Sequence, residues 1–184
     1  SRRVQRIRRD KFIAICHDPP RENGERTMRE RIIRATLVAG TLDIFSAFVF
    51  AGMAGTAPHA VLQFVASGPL GDRARGDPAW LWAIAGLAVH FAIMACMAGA
   101  YMLIAQRRPA LRRHPVVAGL LYGLLLWAIM YWIVRPWRWP AMWLPAAYAA
   151  LPIGRIAWNI GNQLFSHCIL VGLPIAFIAA GRRR

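Results

Sequence analysis

The chain has 184 residues, enough for one domain, and joins a net charge of +15 to a 58% share of hydrophobic residues. Mean hydropathy is +0.39 and the isoelectric point lies near 11.6. A soluble domain cannot easily be both greasier and more basic than average, but a membrane protein can, because it keeps the two properties in separate stretches.

Here they are separate: long runs without Lys or Arg alternate with short Arg-rich segments. Of the 23 basic residues, 22 are Arg, and those beyond residue 34 flank apolar runs. No zinc-finger, RRM, KH or basic-zipper signature accompanies them, so the charge reads as helix-flanking rather than as a nucleic-acid surface. Cys16, Cys96 and Cys168 form no CxxC pair and suggest neither a disulfide framework nor a zinc site.

Residues 1–34 form a basic stretch whose first part is broken by Pro19-Pro20 and Asn23-Gly24. It is expected to be a disordered cytoplasmic tail, with residues 1–27 either tail or upstream sequence absent from the mature protein. The first span is expected over residues 35–57, too long for the apolar run of a secretory signal and therefore read as an uncleaved anchor.

Residues 58–67 are too few to span. Pro58 suits a first helical position, and Gly68-Pro69 should stop the run. His59, Gln63 and Ser67 recur every four residues and predict one polar stripe. A short amphipathic helix on the periplasmic surface, or tucked against it, follows, with His59 on its wet face.

The second span is expected over 79–105, opened by Trp80 and Trp82. A turn carrying Arg107, Arg108, Arg112 and Arg113 leads to a third span over 115–134, which contains Gly119-x-x-x-Gly123. That motif lets two helices approach closely, within one chain or across a dimer, and internal packing is the preferred meaning. Trp137, Trp139, Trp143 and Tyr148 then form an aromatic belt among four prolines, and the last span runs over 156–180. Residues 182–184 close the chain with three Arg.

The fold class is thus an all-α membrane protein of four transmembrane helices, with its transmembrane domain over 35–181. With the N-terminus inside, the cytoplasmic segments hold eighteen basic residues and the outer ones five. Without residues 1–27 the counts are ten and five, so both ends are expected in the cytoplasm. The lipid bilayer is the expected partner, nucleic acid is not, and a homodimer or a membrane complex stays open.

Ionisable side chains inside a membrane are expensive and carry a functional hypothesis by default. There are three: Asp43, His90 and His167. Asp43 is eight residues from the inner end of its span, and each His is eleven from the outer end of its own. At 1.5 Å per residue all three fall near one depth close to the midplane. Asn159 and Gln163 extend the face of the last helix that bears His167.

Two readings lead. In one, the polar groups only tie helix to helix, as glue in a structural or assembly subunit. In the other, they handle protons for transport or sensing, since His titrates near neutral pH. Axial ligation of haem by His90 and His167 is a distant third, and no cofactor is expected. No HExxH, nucleophile motif or carboxylate pair points to an enzyme.

The run Gly40-Thr-Leu-Asp-Ile44, with APHAVLQFVASGPLG (57–71), GLAVHF (86–91), RRHPVVAGLLYG (112–123) and SHCILVGLPIAF (166–177), resembles the YagU-like family of small bacterial inner-membrane proteins. The resemblance covers about residues 35–181. It implies a bacterial inner-membrane location and makes Asp43, His90 and His167 the characteristic intramembrane residues; it brings no reaction with it.

Overall fold

The computed structural model describes residues 21–181, and the expectations for 1–20 and 182–184 lie outside the described residues. Five principal helices follow one another: α1 (Arg21–Met53), α2 (Pro58–Leu70), α3 (Ala79–Arg107), α4 (Pro115–Arg138) and α5 (Ile153–Ala180). Short helical turns at Asp72–Arg75, Pro109–Arg113, Pro140–Met142 and Leu144–Tyr148 connect them. All but α2 contain a segment long and apolar enough to cross a membrane. The shortest, α4, has 24 residues, about 36 Å at 1.5 Å per residue against a hydrocarbon core of ~30 Å. The chain is an all-α, multi-pass membrane protein.

α3 lies against α1, α1 against α5, and α5 against α4. Small side chains let these helices close: Ala35, Ala39, Ala98 and Ala176 have no exposed surface. Tyr122 reaches from α4 to α3, where its hydroxyl donates to the Met97 carbonyl at 2.7 Å. Large apolar side chains point outward instead, among them Phe45, Ile84 and Leu121, each more than 60% exposed. In a bilayer these meet acyl chains.

The seam between α4 and α5 is made of glycine. A Cβ on Gly119 would stand 2.9 Å from the Gly172 carbonyl oxygen and 3.0 Å from the Leu173 Cα. One on Gly123 would strike the His167 carbonyl, and one on Gly172 the Gly119 carbonyl. The Gly-x-x-x-Gly face of α4 is therefore filled by α5 of the same chain.

At one end of the bundle the start of α1 meets the ends of α3 and α5. Gln106 Nε2 donates to the Met28 sulfur at 2.9 Å, and Arg31 Nη1 donates to the Ala179 carbonyl at 3.3 Å. Arg107, Arg108, Arg112 and Arg113 are exposed at this Arg-rich end. The opposite, Trp-rich end is covered by α2, which crosses α3 so closely that a Cβ on Gly86 would collide with the Leu62 carbonyl.

Several expected boundaries move. α1 begins at Arg21, so residues 21–34 are helix rather than disordered tail. It ends at Met53, before residue 57, where the chain turns through Gly55 at φ +79°. α2 continues over Gly68-Pro69 to Leu70 and stops at Gly71, φ +83°. Arg138 adds a side-chain donor to the last turn: its Nε donates to Gly68 O and to Ser67 O, both at 3.1 Å, and Ser67 O also accepts from the Gly71 N–H.

The polar stripe of α2 turns inward. Gln63 and Ser67 are buried, and Gln63 Nε2 donates to the Gly76 carbonyl at 2.9 Å; only His59 is exposed. A helical stripe of three residues shows which side chains share a face but not whether water or protein lies opposite.

α4 runs past residue 134 to Arg138, and α5 starts three residues before 156. Each contains a widened, π-type stretch, Met130–Val134 in α4 and Phe165–Gly172 in α5. Each stretch ends two residues before a proline, Pro136 or Pro174. A proline ring clashes with the carbonyl four residues earlier. Local widening moves that carbonyl aside and lets the helix pass through.

Candidate functional site

Asp43, His90 and His167 stand on α1, α3 and α5, and the packing of α1 between the other two determines how they meet. His90 is 7% exposed, and its Nε2–H donates to the Gly40 carbonyl at 2.9 Å, one turn before Asp43. A carbonyl can only accept, so a proton sits on Nε2; when the ring is neutral its lone pair is on Nδ1. His167 has the opposite arrangement. Its Nδ1–H donates to the Gln163 carbonyl at 2.9 Å, which leaves the lone pair on Nε2.

Asp43 stands on α1 between Gly40, which meets His90 of α3, and Ser46, which meets Ser166, the neighbour of His167 on α5. Its carboxylate accepts no hydrogen bond among the described residues; Ser46 Oγ donates to the main-chain carbonyl of Asp43 instead, at 2.9 Å. Ser46 and Ser166 join α1 to α5 through a 2.7 Å hydroxyl pair. Among the described residues no trio of His, Cys, Asp or Glu side chains closes far enough to hold a metal ion.

α4 adds residues that the sequence pattern of ionisable groups alone passes over. Tyr131 meets the His167 ring edge-on at 5.7 Å and stacks on Trp127 at 6.1 Å. The Arg135 guanidinium covers the Tyr131 ring at 4.7 Å. Trp127, Tyr131 and Arg135 recur every four residues, so helical periodicity places them on one face. That was the available signal for Tyr131 and Arg135; Ser46 and Ser166 were marked only by closeness in sequence to Asp43 and His167.

Gln163 is the junction of the last helix. Its Oε1 accepts from Trp127 Nε1 at 3.1 Å and its Nε2 donates to the Tyr148 hydroxyl at 2.9 Å. Asn159, expected on the same face, makes no hydrogen bond to this cluster among the described residues. Tyr131 lies within the widened stretch of α4, and Ser166 and His167 within that of α5. Such π-type turns recur at functional sites, where they re-aim side chains.

His59 and His114 are exposed and stand apart from the cluster.

No family model, curated protein or solved structure matches the chain. The functional reading therefore rests on the residues and their chemistry.

Proposed function

We propose that this protein takes up and releases a proton at the Asp43–His90–His167 cluster, in the service of proton-linked transport or sensing. One observation carries the reading. The side chains that tie the helices together are hydrogen-bonded, Ser46 to Ser166, His90 to Gly40 and Trp127 to Gln163, whereas the Asp43 carboxylate has no such partner among the described residues. A carboxyl group serving only as glue would be hydrogen-bonded, because an unpaired one inside a bundle costs stability. One left beside two imidazoles with free ring nitrogens has partners for proton exchange.

We place the protein in a bacterial inner membrane with both termini cytoplasmic and the α2 cap on the periplasmic side, on the strength of the Arg distribution. The resemblance to the YagU-like family supports the same placement. The glue reading retains one favourable observation, the His90–Gly40 bond, which ties α3 to α1.

The test is a proteoliposome assay with a trapped pH-sensitive dye and an imposed pH gradient. Transport requires a gradient that decays faster with the parent than with Asp43→Asn. Sensing requires tryptophan emission that shifts between about pH 6 and pH 8 in the parent and not in that variant. If neither depends on Asp43, the proposal fails.

A further inference from the structure

The Arg-rich end contains a cleft that proton handling does not use. Its volume is about 200 Å³, and Arg31 of α1 and Arg112 of the turn between α3 and α4 both line it. Met28, Met102 and Ala105 supply apolar wall, and Thr27 and Gln106 supply polar edge; among the described residues no acidic side chain lines it. Arg112 also borders a second, more open cleft beside Arg113 and His114.

The two arginines are not equivalent. Arg31 is partly occupied by the Ala179 carbonyl at the end of α5, an ordinary way to satisfy a helix terminus. Arg112 makes neither a hydrogen bond nor an ion pair among the described residues. The cleft thus presents one free guanidinium, one partly used, and an apolar wall that continues into the bundle between α1 and α3.

We propose that this cleft binds the phosphate of an anionic phospholipid, with Arg112 and Arg31 on the phosphate oxygens and the start of the acyl chains against Met28 and Met102. The chemistry is complementary in both parts. A guanidinium fork matches phosphate geometry, and basic pockets between membrane helices bind anionic head groups. The volume admits a phosphodiester with its glycerol. The proposal does not depend on the Asp43 cluster.

The test uses the full chain, delipidated in maltoside detergent, with phosphatidylglycerol titrated in and bound lipid counted by native mass spectrometry. Phosphatidylglycerol should bind more tightly than phosphatidylcholine. Arg112→Gln should weaken it about fivefold, the effect of one basic residue near an anionic surface. Arg107→Gln removes the same charge from the same end of the bundle, at the end of α3 and outside the cleft lining, and should leave binding unchanged. Arg31→Gln also loses the tie to α5, so Arg112→Gln decides. Equal losses in the Arg107 and Arg112 variants would mean diffuse surface charge and overturn the site. Equal affinity for phosphatidylcholine, or full displacement of the lipid by millimolar inorganic phosphate, would overturn the lipid assignment.

Discussion

His90 of α3 donates its Nε2–H to the main-chain carbonyl of Gly40 on α1, at 2.9 Å. This bond holds α1 against α3 at the depth of the cluster. His90→Ala should therefore lower stability by about 0.6–2 kcal/mol, the range for interhelical hydrogen bonds in membrane proteins. The thermal midpoint in detergent reads it; a midpoint equal to the parent's would show that the bond carries no weight.

Asp43→Asn should behave differently. Its carboxylate makes no hydrogen bond among the described residues, so exchange for a neutral isostere should leave the midpoint at or above that of the parent. The same melting experiment checks it. A fall as large as that of His90→Ala would return Asp43 to a structural role.

The glycine seam makes a steric prediction. Gly172→Ala should destabilise the bundle by about 1–3 kcal/mol, because its methyl group meets α4 backbone, including the Gly123 nitrogen at 2.9 Å, which cannot swing away. Gly99→Ala is the control: nothing lies within 4 Å of its added Cβ, and the midpoint should stay within about 0.5 kcal/mol of the parent. Equal effects at the two positions would contradict the seam.

At the Trp-rich end, Arg138 serves two kinds of partner. Its ion pair with Asp72, 2.9 Å long, involves a carboxylate that is 73% exposed, so Asp72→Ala should cost no more than about 0.5 kcal/mol and less in high salt. Arg138→Ala also strips the carbonyls of Ser67 and Gly68. It should cost about 1–2 kcal/mol and expose α2 first to hydrogen exchange. Identical exchange in the two variants would argue against the capping role.

The four spans were legible because apolar runs of twenty or more residues without Lys or Arg have one stable solution in lipid, the helix. Their ends were harder. The composition of 21–34 reads as tail, yet the helix of α1 extends back over it. Gly68-Pro69 reads as a stop, yet the helix runs on to Leu70, and Arg138, seventy residues away, donates to carbonyls of its last turn. Rise per residue set Asp43, His90 and His167 at one depth without showing which faces converge. Tyr131 and Arg135 were hidden for a different reason: an aromatic and an Arg near the end of a span look like interface anchors. Only the π-type stretch and the packing on α5 turn Tyr131 toward His167.

The alanine and glycine interior has a consequence for size. With Ala35, Ala39, Ala98 and Ala176 wholly covered and α4 touching α5 backbone to backbone, the middle of a single bundle works as a sieve of very fine mesh. Under the proposed proton handling, an ion that must shed its hydration shell would find no replacement ligands along these alanine and glycine surfaces, and a larger cargo would call for a second copy of the chain.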